Sequence, residues 1–153
     1  MMPSENMSHI ILEDKTPTPA EHYHLRKEAG GLTAPPQPEN EEALKRSFFC
    51  VTLRDTSTSD NKAVGMGRIV GDGMFLFITD MAILPAYQRK GLGGRILDRL
   101  IQYVDETSPK ARLSLEADPP GVGLYKSRGF KHQTYSKPML RSTFWPSGSA
   151  DDD

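Results

Sequence analysis

A single cysteine, Cys50, is all the chain carries, so no internal disulfide can form and no cysteine-rich zinc pattern exists; no metal site is expected. Its setting in the apolar run Phe48-Phe49-Cys50-Val51, with no histidine beside it, marks a buried thiol rather than a nucleophile. Long hydrophobic stretches are missing as well. Nothing approaches the roughly 20 apolar residues of a membrane span, and residues 1–8 lack the basic start and apolar stretch of a signal peptide. The expectation is a cytoplasmic protein with no membrane partner. Net charge is nearly absent: 19 Lys+Arg against 20 Asp+Glu give a formal −1, which offers no general attraction to nucleic acid. Any anion site must therefore be local. Neither Gly-x-x-x-x-Gly-Lys-Ser/Thr nor a Gly-x-Gly-x-x-Gly after the first strand occurs, which removes the two commonest nucleotide-phosphate loops. No internal repeat or low-complexity domain is found.

What is present fits one domain, since 153 residues can bury a core but are too few for two ordinary ones. The expected domain covers residues 9–145, with flexible polar tails at 1–8 and 146–153. His9-Ile10-Ile11-Leu12 reads as a short first strand. After Thr16-Pro17-Thr18-Pro19, residues 20–29 have helical composition and stop at Gly30-Gly31. Pro35, Pro36 and Pro38 mark a loop, and residues 39–46 suit a short helix. Aromatic and β-branched residues over 48–54 begin a strand. The polar tract 55–62 connects it as a hairpin to 63–70, and Gly71-Asp72-Gly73 turns the chain into 74–84, giving three consecutive antiparallel strands. Ile96, Leu97, Leu100, Ile101 and Val104 then recur at helical spacing, opposite Arg95, Asp98, Arg99, Gln102 and Asp105. Residues 111–116 alternate as a strand, and 121–127 suit a short helix with Gly129 as its C-cap. A last strand is expected from 130 to about 141, placed at an edge or bulge by Pro138.

The segment Met81-Ala82-Ile83-Leu84-Pro85-Ala86-Tyr87-Gln88-Arg89-Lys90-Gly91-Leu92-Gly93-Gly94 sets a glycine-rich turn between a strand and the amphipathic helix. Unpaired N–H groups at a helix start, together with the positive end of its dipole, suit a phosphate-like anion. Glycines let the anion approach the backbone, and Arg89 and Lys90 supply the positive charge the chain lacks overall. A plain helix start with a basic turn would use the same residues, so glycines alone do not separate the two readings.

Gln88-Arg89-Lys90-Gly91-Leu92-Gly93 matches the Gln/Arg-x-x-Gly-x-Gly/Ala signature of the GNAT N-acetyltransferase superfamily, and it follows Ile83-Leu84-Pro85 as in that family's fourth strand. Downstream, Leu124-Tyr125-Lys126-Ser127-Arg128-Gly129-Phe130 resembles the family's Leu-Tyr-x-x-x-Gly-Phe. The resemblance covers about residues 44–140, and Tyr23-His24-Leu25-Arg26 is similar to the Tyr-x-x-Leu-Arg of small stand-alone members. It implies an α/β (α+β) fold: a central, mostly antiparallel mixed sheet of six to seven strands, splayed between the fourth and fifth and flanked by about four helices.

The same resemblance implies acetyl-CoA as cofactor, lying between 74–84 and 111–116. Backbone groups of Met81 and Ile83 would pair with its pantetheine arm, and Gln88, Arg89, Lys90, Gly91, Leu92, Gly93 and Gly94 would surround its diphosphate. An N–H near Met81 or Ala82 would polarise the thioester carbonyl. A primary amine would attack that carbonyl directly. Tyr125 matches the family's general acid, its ordinary pKa of about 10 lying near the roughly 8.5 of a thiol; the plainer role is packing. Asp80 and Glu116 are the carboxylates placed to take a proton from the amine or to anchor it, and Tyr23, Arg26, Phe75 and Phe77 are candidate walls of the acceptor site. Asp118, followed by Pro119-Pro120, stands where many members place a pantetheine-binding asparagine, which puts that contact in doubt. The acceptor expected is a small-molecule amine, with a peptide or protein N-terminus as the enzymatic alternative and a non-catalytic acyl-CoA-binding module as the other. Homodimers are common among relatives, though no residue pattern here specifies an interface.

Overall fold

The apolar runs read above become five strands, and the helices between them cover both faces of the resulting sheet. The structure is a computed structural model describing residues 7–30 and 37–141. The expected loop at Pro35 and Pro36 and most of both expected tails lie outside the described residues.

Strand β1 (Ile10–Glu13) leads to helix α1 (Pro19–Leu25). This helix starts where the sequence gives it every cue. The Thr18 side chain accepts the Glu21 N–H, the Glu21 carboxylate accepts the Thr18 N–H, and Pro19 takes the first helical position, where no N–H is needed. It runs on as a wider π-helical turn over Arg26–Gly30. Helix α2 (Gln37–Lys45) precedes β2 (Phe49–Asp55), β3 (Lys62–Gly71) and β4 (Phe75–Ile83). A 3-10 turn (Pro85–Tyr87), helix α3 (Leu92–Thr107) and β5 (Arg112–Leu115) follow.

The sheet order is β1-β2-β3-β4-β5, antiparallel from β1 to β4 and parallel between β4 and β5. A parallel pair needs a crossover rather than a hairpin, and α3 supplies it. Ile96, Leu97, Leu100 and Val104, the helical stripe of the sequence, are buried where α3 packs on β2, β3 and β4. Each such burial contributes about 1.5–3 kcal/mol. Tyr103 stacks on Phe49 of β2 at 3.8 Å between ring centroids. Gly67 of β3 lets the helix come close: a Cβ there would lie 2.5 Å from Ile96 Cγ2 and 3.0 Å from Leu100 Cδ1. Cys50 is buried, and burial raises its thiol pKa.

Two expectations are corrected. Among the described residues the sheet has five strands, not six to seven. No strand forms over 130–141. That stretch is polar apart from scattered apolar residues and exposes Tyr135, Met139 and Leu140. Its side chains bond locally instead, Gln133 Nε2 to the Tyr135 hydroxyl and the Ser136 hydroxyl to Gln133 Oε1, so it lacks an alternating apolar face to bury.

The chain groups into two compact units, one ending at Glu116 and the other beginning at Ala117. The first holds the sheet. The second contains a 3-10 turn (Pro119–Gly121) and helix α4 (Val122–Lys126), after which Gly129 adopts φ +90.

Candidate active site

Where β4 meets β3, Met66 pairs with Ala82 and Arg68 with Thr79, so Asp80 and Met81 together face the single residue Gly67. This bulge places Asp80 at φ 54, a left-handed conformation that a short polar side chain tolerates better than most. On the other side of β4, pairing with β5 runs from Phe75 to Ile78 and stops. From Thr79 to Ile83 the outer edge of β4 has no β5 partner, so the sheet opens where the sequence reading places the pantetheine arm.

Alternation of the ladder decides which backbone groups face that opening. Leu84 N–H donates to Val64 O across the β3 side, so the N–H and C=O of Ile83, one residue earlier, point away from β3. The Gln88 side chain confirms the direction, its Nε2 donating to Ile83 O at 2.9 Å from the exposed side. Ala82 instead pairs with Met66.

Beyond the 3-10 turn the backbone bends sharply. Arg89 has φ 63 and Gly91 φ 77. A Cβ on Gly91 would meet nothing within 4 Å, so the glycine answers to the backbone angle, not to crowding. Helix α3 then begins with no side-chain cap and no acidic residue in its first turn. An N-cap hydrogen bond is worth about 1 kcal/mol, and acids near a helix start add about 0.3–1 kcal/mol. A helix of 16 residues that forgoes both, with Arg89 and Lys90 just ahead of it, keeps its N–H groups and its positive end available to an anion. Gly93 is half-buried and Gly94 buried, and neither carries a side chain to cover the first turn.

Asp80 is held quite differently. His22 Nε2 donates to its Oδ2 at 2.8 Å, Arg68 Nε donates to the same oxygen at 2.8 Å, and Arg26 lies 3.6 Å from Oδ1. Burial pushes its pKa up, but the His22 hydrogen bond and the charges of Arg68, His22 and Arg26 outweigh this and hold it at about 2. A carboxylate so placed is a poor proton acceptor near neutrality, so the base role read for Asp80 does not fit its surroundings. Arg26, read as an acceptor wall, likewise belongs to this cluster. His22 and Arg68 were missed by the sequence reading. The spacing of His22 and Arg26, one helical turn apart, was the available signal.

The other predicted residues are dispersed. Glu116 is exposed just past β5. Phe75 is 59% exposed and pairs with Arg112 at the start of β4, about 16 Å from the bulge by strand rise. Phe77, two residues nearer, is half-buried, and Tyr23 on α1 is 37% exposed. In the second unit Tyr125 is half-buried, packing edge-on against Phe130 at 6.0 Å; burial, then the charge of Asp118, raises its pKa. It remains a protonated donor at neutral pH. Gly121 N–H donates to Asp118 O across the diproline, so the departure noted in the sequence is a tight turn ahead of α4.

Comparisons with known proteins point to one family. A family described as "Acetyltransferase (GNAT) domain" matches residues 35–141. A probable acetyltransferase structure from meticillin-resistant Staphylococcus aureus is 30% identical, with TM-score 0.76, covering 87% of this chain and 98% of that one. The [Ribosomal protein bS18]-alanine N-acetyltransferase of Escherichia coli is 27% identical over 150 residues, 96% of this chain and 93% of that protein. An uncharacterized N-acetyltransferase of Pyropia yezoensis is 34% identical over 89 residues, 58% of this chain. The chain spans about half the length or less of several curated relatives it matches, 51%, 45% and 35% of three of them. Among the described residues no helix is long and apolar enough to cross a membrane.

Proposed function

Because this chain belongs to the GNAT N-acetyltransferase family, we propose that it transfers an acetyl group from acetyl-CoA to the primary amine of a small molecule, by direct attack of the amine on the thioester. The observation that carries this reading is the uncapped, acid-free start of α3, which follows the open edge of β4 by eight residues. The two offer what the two ends of the cofactor require: anion-binding amides for a diphosphate, and an unpaired strand edge for an amide-bearing arm.

When bound, acetyl-CoA supplies the activated acyl group. In this reading the first-turn N–H groups of Leu92, Gly93 and Gly94, with Arg89 and Lys90, hold the diphosphate, and the outward N–H and C=O of Ile83 hold the arm. Gln88 would then share Ile83 O with the arm or give it up. Tyr125 would supply a proton to the departing thiolate, a role that suits a tyrosine whose pKa is raised and which stays protonated at rest. Asp80 supports the bulge. Removal of the ammonium proton falls to Glu116, directly or through water. A second reading, a peptide or protein N-terminus as acceptor, is favoured by the likeness to the bS18-alanine N-acetyltransferase along nearly the whole of both chains.

A thiol-release assay with acetyl-CoA across a panel of small amines and N-terminal peptides tests both. Turnover with small amines supports the first reading, and turnover with peptides alone replaces it with the second. No thiol release, with no binding of CoA at low salt, removes the activity.

A further inference from the structure

The turn proposed to hold the diphosphate is conformationally costly, and something must keep it in place. Two of its residues, Arg89 and Gly91, sit at positive φ, and the first of these carries a long side chain. A left-handed residue other than glycine costs about 1–2 kcal/mol and persists only where its surroundings over-determine it. The segment's own hydrogen bonds are short-range: Tyr87 N–H to Leu84 O, Gln88 N–H to Pro85 O, and Gln88 Nε2 to Ile83 O. They shape the 3-10 turn, and the Gln88 bond ties it to the end of β4, the strand that leads into it.

A tie to a more distant strand comes from the Tyr87 side chain. The Tyr87 hydroxyl donates to Asp55 Oδ2 at 2.5 Å. Asp55 is well chosen as an anchor. It is 4% exposed, ends β2, and pairs with both Ile10 of β1 and Lys62 of β3, so three strands fix its backbone. Its other oxygen accepts the Ser57 N–H at 2.9 Å and the Ser57 hydroxyl at 2.5 Å. Thr58 donates to the Asp55 carbonyl through its hydroxyl. The carboxylate therefore has one orientation, and its remaining lone pairs meet the tyrosine.

We infer that Tyr87 and Asp55 are a positioning pair that locks the diphosphate turn against the sheet, setting affinity for the nucleotide end of the cofactor without taking part in acyl transfer. This inference rests on the proposed function. The bond braces the turn from β2, two residues before the first positive φ. The Ser57 bonds and the tyrosine hydroxyl hold Asp55 at a pKa of about 2, and the bond to Asp55 raises that of Tyr87, so the pair keeps its charge state across the neutral range.

Calorimetric titration of the full chain with CoA, and with pantetheine as a probe lacking the diphosphate, tests this. Tyr87→Phe removes only the hydroxyl of a half-buried ring and should weaken CoA about tenfold while leaving pantetheine unchanged. With acetyl-CoA in turnover, KM should rise by the same factor at constant kcat. Asp55→Ala should behave alike, and the double variant should be no weaker than the worse single one, since each removes the same bond. Additive losses, an equal loss for pantetheine, or unchanged CoA binding in Tyr87→Phe would each overturn the pair. A wild-type protein that binds no CoA at all would instead overturn the cofactor reading, and this inference with it.

Discussion

The bulge carboxylate and the start of α3 stand at the two ends of one short stretch of chain and treat polar groups in opposite ways. Asp80 is surrounded: His22 and the guanidinium groups of Arg26 and Arg68 converge on one buried carboxylate. The first turn of α3 is bare: no cap, no acid, and glycines in place of side chains. Polar groups inside a protein are normally satisfied, and where satisfaction is complete the group is support. Where it is withheld at a well-formed helix end, the group is kept for something that arrives from outside. On the proposed function, the contrast assigns Asp80 to support of the bulge and the turn to the cofactor.

The largest effect should come from filling the bare end. A glutamate at position 91 would set a carboxylate near the diphosphate, and like charges about 4 Å apart near a surface repel by about 4 kcal/mol. Gly91→Glu should therefore weaken CoA about a thousandfold by calorimetry, with strain at φ 77 adding to the loss. Unaltered binding would erase the distinction drawn above. Asp80→Asn attacks the satisfied end. Leaving buried cations without their carboxylate costs about 3 kcal/mol, read by urea unfolding. If Asp80 is support, whatever protein remains folded should keep an unshifted acid limb in its pH–rate profile; loss of that limb would restore the base role. Tyr125→Phe should lower kcat about a hundredfold with CoA affinity unchanged. Equal turnover would remove the tyrosine from the mechanism.

The smallest effect is a titration. Asp80 is held at about 2 against an ordinary 3.8, so the stabilisation it provides is fully present above pH 4 and lost as pH falls toward 2. The loss should be about 2 kcal/mol, measured by urea midpoints across that window. Asp80→Asn should remove that share of the pH dependence and leave the share that Asp55 contributes over the same window.

How much of this was legible beforehand follows the range of the interactions. The three-strand meander, the α3 stripe and the glycine turn are local patterns, and each lies within a residue or two of its expected bounds. The cluster on Asp80 was not legible, because His22 lies 58 residues away and nothing in a linear sequence announces that separation. Nor was the bulge, since aspartate is only one of several residues that tolerate left-handed backbone. The expected strand over 130–141 failed for the opposite reason: a plausible length was credited with a pairing its polar composition does not support. Phe75 shows the same limit, its identity suggesting a pocket wall and its place on the strand leaving it far from the bulge.

Gly67 has a last consequence. Facing it across the sheet are the two bulge residues, and above it sit Ile96 and Leu100, with Met81 Sδ 2.9 Å from where a Cβ would be. The helix side chains thus rest directly on the strand backbone, with no side chain at Gly67 to hold them off. On the proposed function, the distance from the start of α3 to the bend in β4 is then a fixed gauge, and carriers whose arm differs in length from pantetheine would present their acyl carbon out of register.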